Sequence, residues 1–138
     1  MNLLKTIALA ATAFAIAAVP AFTAPVRAGQ IPASVTPAGK WETASGESRY
    51  DIRFCGDGTQ ICATLTWLRE DARTPENMAY LNKQVVTGAK KTAPVKWEGK
   101  VIYQGASYSG SVTMLGTNKM KMYGCKGPAC ESMVFNRM

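Results

Sequence analysis

Four cysteines are the residues best equipped for chemistry in this 138-residue chain. Cys55 and Cys62 bracket the stretch "CGDGTQIC", and Cys125 and Cys130 bracket "CKGPAC". Zinc knuckles space their cysteines roughly two to four residues apart, which the gap between Cys55 and Cys62 does not fit, and no histidine can complete such a site. A redox catalyst would use C-x-x-C at a helix start, and that motif is absent. The pairs that remain are disulfides, which need an oxidising compartment.

Carboxylates are the next candidates. Glu42, Glu47, Asp51, Glu70, Asp71, Glu76 and Glu98 could in principle hold an acid/base pair, but they precede strands or fall on polar faces and read as solvated surface. Asp57 in "GDG" lacks the several oxygen partners a calcium ion requires, so the stretch reads as a turn. The absence of histidine removes the commonest general base and the triads built on it. No catalytic residue, metal or cofactor is expected, and the chain does not read as an enzyme.

The N-terminus supplies the compartment. Lys5 precedes an uncharged, Ala-rich run over 7–19 that stops at Pro20, with small-residue cleavage sites after Ala21 and Ala28. The run is short for a bilayer span, so 1–28 is expected to be a secretory signal peptide, removed to leave no membrane span. Residues 29–38 read as a flexible leader and 39–138 as a single domain. The expected location is periplasmic or secreted. Setting Lys5 and Arg27 aside leaves 14 basic against 9 acidic side chains, spread along the chain. A nucleic-acid reader would cluster its charge, so none is expected as partner; an anionic envelope component is the polar partner that fits.

From Gly39 onward the apolar residues recur with period two. Strands are predicted over 40–43, 49–55, 61–68, 84–90, 95–103, 108–115, 119–125 and 130–137, with Thr74 and Pro75 opening at most one short helix near 74–82. Setting Cys55 opposite Cys62 pairs Phe54 with Ala63, Ile52 with Leu65 and Tyr50 with Trp67 on one face. Setting Cys125 opposite Cys130 pairs Met122 with Met133 and Met120 with Phe135. The preceding turns pair Met114 with Met120, Val112 with Met122, Tyr103 with Tyr108, Val101 with Gly110 and Trp97 with Met114. One inner face therefore continues through consecutive strands, the mark of an antiparallel meander. The same register puts both cysteine pairs across strands on the polar face, so Cys55–Cys62 and Cys125–Cys130 are the expected disulfides, each contributing about 2–2.5 kcal/mol.

"GKW", "FCGDGTQIC" leading into "LTWL", and "WEGKVIYQGASYSGSVTML" resemble the bacterial exported family catalogued as domain of unknown function 2147. The resemblance covers nearly all of residues 39–138 and implies export and a small β-barrel-like domain, with no catalytic residue carried over. Ala63, Lys100, Gln104-Gly105 and Phe135-Asn136-Arg137 depart from the family's usual residues. A wider resemblance is to lipocalins, whose G-x-W on the first strand packs beneath a basic residue of the last. Trp41 and Arg137 are placed for that contact. The expected fold is all-β: an eight-stranded antiparallel meander closing into a lipocalin-like barrel.

The expected inner face carries Tyr50, Trp67, Trp97, Tyr103, Tyr108, Met114, Met120, Met122 and Met133. As a soft pocket it would bind an apolar or amphipathic small molecule, because methionine repacks around varied shapes. As a filled core it would leave function to the loops at 70–82 and 104–107, in a protein- or envelope-interaction module such as an inhibitor of a secreted enzyme. Both readings stand on sequence alone.

Overall fold

The computed structural model describes residues 35–138; the expected signal peptide and most of the expected leader lie outside them. Eight antiparallel strands close into one barrel in sequence order. They are β1 (Gly39–Thr43), β2 (Ser48–Cys55), β3 (Gln60–Leu68), β4 (Gln84–Ala93), β5 (Lys96–Tyr103), β6 (Ala106–Met114), β7 (Lys119–Lys126) and β8 (Ala129–Arg137). The circle closes through Trp41 opposite Arg137 and Thr43 opposite Phe135. Between β3 and β4 lie a 3₁₀ turn (Glu70–Ala72) and a short helix, α1 (Pro75–Met78), capped where expected: the Asn77 amide donates to Thr74 Oγ1. No helix among the described residues is long and apolar enough to cross a membrane.

The meander gives the barrel two distinct ends. The chain segment 35–38 and the β2–β3, β4–β5 and β6–β7 connections share the lower end. The β1–β2, β3–β4, β5–β6 and β7–β8 connections share the upper one. Trp41, Ile61, Trp97 and Met114 fill the lower end and are almost wholly buried. Each indole N–H is satisfied by a segment that closes that end: Trp41 Nε1 donates to the Pro37 carbonyl (2.8 Å) and Trp97 Nε1 to the Thr59 carbonyl (2.9 Å). Residues 35–38, expected to be part of a flexible leader, are thus docked: Pro37 is buried and Val35 packs on the core. In the β2–β3 turn Asp57 accepts from the Thr59 amide and hydroxyl at 2.9 and 2.7 Å, and these bonds hold its carboxyl below the usual carboxylate range.

Both expected cysteine pairs are bonded. Cys125 and Cys130 stand directly opposite each other at the upper end. Cys55 instead faces Gln60, and Cys62 faces Arg53, so the lower disulfide runs diagonally across the ladder. The predicted β2–β3 register is therefore wrong by two residues: Ile52 faces Ala63 and Tyr50 faces Leu65. The β5–β6 register errs by the same amount, with Val101 opposite Tyr108 and Trp97 opposite Val112. There the turn is Gln104-Gly105 alone, at φ 47° and 75°, a two-residue hairpin tighter than the four residues assumed. A slip of two leaves every side chain on its predicted face, which is why the inner face survives both errors. The β6–β7 and β7–β8 registers match the predicted pairs.

One slip of a single residue does not preserve the face. Between Arg49/Tyr50 the β2–β3 ladder shifts, so that Tyr50 faces Leu65 but Arg49 faces Trp67. The extra residue, Thr66, is exposed and its hydroxyl donates to the Arg49 carbonyl. Beyond this bulge Leu68 turns inward and Trp67 outward, where the Arg49 guanidinium lies 4.3 Å over its ring. Phe54, expected inside, is 46% exposed at the lower rim.

Candidate functional site

The inward residues divide by height. Trp97 and Met114 belong to the packed lower end, with Met120 between. Tyr50, Tyr103, Tyr108, Met122 and Met133 come together at the upper end, and Trp67 joins neither group because it lies on the outer surface. The upper group is incompletely packed. Three neighbouring voids of about 40, 20 and 20 Å³ share Tyr103 as a wall. Each has room for one or a few waters and is an order of magnitude below an ordinary small-molecule pocket.

Strand geometry explains where the space lies. Gly99, Gly110 and Gly124 face one another across β5, β6 and β7, all at inward positions. A side chain on Gly110 would stand 2.6 Å from the Tyr123 carbonyl, and one on Gly124 would stand 3.2 Å from the Tyr108 Cβ. This side-chain-free row lets the sheet curve tightly and leaves Tyr108, Met122 and Met133 room above it. Tyr103 and Tyr108 meet edge to face at 6.3 Å, and Tyr50 meets Phe135 the same way at 5.5 Å.

The rim is polar. Glu47, Ser48, Asn77, Tyr80 and Gln104 border the first void, where α1 and the 3₁₀ turn lean over β3. Glu131 borders the third. Among the described residues, Glu47 and Glu131 are the charged side chains that line the three voids, although the protein as a whole is basic. Their field is felt at the tyrosines. Burial pushes the Tyr103 hydroxyl up, and the carboxylates of Glu131 and Glu47 push it further. Burial also raises Tyr50, against a hydrogen bond donated by Ser48 at 3.1 Å, with Glu47 adding to the rise.

Neither glutamate stands out in the sequence as a site residue. Glu47 reads there as surface, and Glu131 lies outside the carboxylates that suggest an acid/base pair. The signal for Glu131 lay in the strand period: it alternates with Met133 and Phe135, so a carboxylate occupies an inward position. Val85, Ile102 and Gln104 were also missed as lining residues, because the β4 bulges and the tight β5–β6 turn that place them have no clear pattern in composition.

Fold and site together define a lipocalin-like closed barrel with a packed lower end and a small, loosely filled mouth. Residues 39–137 match the family described as "Uncharacterized protein conserved in bacteria (DUF2147)", and the chain belongs to that family. Among solved structures it is similar to HP1028 from Helicobacter pylori, described as belonging to the lipocalin family. The identity is 13% and the TM-score 0.55, covering 76% of this chain and 84% of that one. A redesigned β-barrel also matches, at 10% identity and TM-score 0.48, over 73% of this chain and 90% of the other. No curated protein matches significantly.

Proposed function

We propose that this protein is an exported binding protein, not an enzyme, and that its upper mouth takes a small amphipathic molecule with a positively charged head. One observation carries the reading: an aromatic and methionine-lined mouth whose lining charges are Glu131 and Glu47, the latter also approached by Arg69 at 3.6 Å. A cationic head would sit between those carboxylates and against the faces of Tyr103 and Tyr108, where ring and carboxylate attract the same charge. The apolar tail would displace Met122 and Met133, side chains flexible enough to repack at small cost. The lipocalin-like fold supports small-molecule binding in general; the charge preference rests on this chain alone. Export is supported by the Lys5-led apolar run and by the two disulfides.

The test is calorimetric titration with decyltrimethylammonium, decyl sulfate and decyl maltoside, which share one tail. The trimethylammonium compound is expected to bind about tenfold tighter than the sulfate, and E47Q/E131Q to erase the difference. Equal affinity for all three removes the charge preference; no binding by any removes the small-molecule reading. In that case the packed lower end favours the second reading, an interaction module working from its surface.

A further inference from the structure

Positive charge that is dispersed along the sequence is gathered by the fold onto one side of the barrel. Strands β4, β5 and β7 carry seven lysines, from Lys90 to Lys126, against the single carboxylate of Glu98, a net +6. All other described residues carry seven basic and eight acidic side chains, a net −1. Three of the five arginines on that other side are paired with carboxylates: Arg49 with Glu42, Arg53 with Asp51, and Arg69 with Asp71 and Glu47. Among the described residues Lys96 alone of these lysines meets a carboxylate, Glu98 at 2.9 Å, and Lys91 lies 5.7 Å over the Trp97 ring. Between the lysine-bearing strands, β6 offers only Ser107, Ser109, Ser111 and Thr113 to the outside, so an open trough of about 620 Å³ runs between Lys96, Lys100 and Tyr123. Tyr123 is 47% exposed within this face, and Leu115 is 50% exposed at its lower edge, where its amide donates to the Lys119 carbonyl.

We propose that this face docks the protein onto an anionic lipid bilayer. The chemistry favours a bilayer over a nucleic acid. Its cations are lysines, hydrated point charges spread over three strands, not the forked arginines and stacked aromatics that read phosphates and bases. An exposed leucine and a tyrosine among lysines are the side chains that settle at a headgroup boundary. Each lysine close to an anionic surface contributes about a fivefold factor in affinity, so several acting together give reversible, salt-sensitive attachment. The face lies on the barrel wall and leaves the mouth uncovered. This inference does not depend on what the mouth binds.

Sedimentation of the processed protein with vesicles tests it. Binding is expected to vesicles of phosphatidylcholine mixed with phosphatidylglycerol, little to phosphatidylcholine alone, and the bound fraction should fall steeply as salt is raised. K96E/K100E/K121E should weaken binding at least tenfold, whereas K40E/R53E, on β1 and β2, should cost much less; thermal melts of both establish folding. E98Q should strengthen binding by a few fold, a gain that a merely structural role would not produce. Equal sedimentation with neutral vesicles, or equal losses in the two charge-reversal variants, overturns the proposal. So does a protein that ignores both vesicles yet binds a DNA duplex, which would assign the face to a nucleic acid.

Discussion

The guanidinium of Arg137 lies 4.3 Å over the ring of Trp41, joining the last strand to the first across the lower end of the barrel. Its nitrogens also donate to the carbonyls of Thr117 (2.9 Å), Ala38 (2.7 Å) and Thr36 (2.6 Å). One side chain thus ties together three chain segments and caps a fully buried indole. Gly39 makes room for it: at φ +134° it has a backbone that favours glycine, and a Cβ there would stand 2.6 Å from Arg137 Nη1. The G-x-W motif is explained by this contact, the glycine by space and the tryptophan by its cationic lid.

Arg137→Ala should therefore lower unfolding free energy by about 2–4 kcal/mol in a denaturant titration, combining a cation–π contact with charged hydrogen bonds. Arg137→Lys keeps a charge over Trp41 but cannot reach three carbonyls, and should recover less than half of the loss. A wild-type midpoint for the alanine variant would show that the lower end is held by other means.

Two tryptophans predicted on one face should behave oppositely. Trp97 is 2% exposed with its indole N–H bonded to Thr59, so Trp97→Ala should cost about 3–5 kcal/mol. Trp67 lies outside the barrel against Arg49, and Trp67→Ala should cost about 1 kcal/mol or less. Their fluorescence separates them too, since an aqueous quencher should reach Trp67 and spare Trp97.

That contrast marks how far the sequence could be read. Strand number, order, the disulfides and the inner face of β5 to β8 follow from period two and the turn residues. Registers wrong by two did no harm, because side chains alternate with that same period. The single inserted residue at Thr66 was invisible, since "LTWL" alternates equally well in either phase, and it moved Trp67 out of the site. The division into a sealed lower end and an open mouth was also illegible. It depends on which segments fold back, such as 35–38 beneath Trp41, and on three glycines that meet across β5, β6 and β7 only in the true β5–β6 register.

Alkaline pH should act through the mouth tyrosines. Tyr50 and Tyr103 titrate above the ordinary value of 10.0 in the folded protein, so the unfolded chain ionises first. Their contribution to stability is complete below about pH 10 and is lost as pH rises through the folded values. Denaturant midpoints should fall over that window, and the fall should be shallower in Tyr50→Phe. Tyrosinate absorbance should show a late component that the same variant removes. An unchanged alkaline profile in Tyr50→Phe would mean that its hydroxyl is not shielded.

The most direct test of the binding site is methionine-methyl NMR during titration with decyltrimethylammonium. Met122 and Met133 line the mouth, whereas Met114 is sealed in the lower end. The Met122 and Met133 methyl resonances should move progressively and saturate while that of Met114 stays in place. Saturating shifts at Met114 with none at Met122 and Met133, or no shift at any methyl, would contradict a ligand site at the mouth.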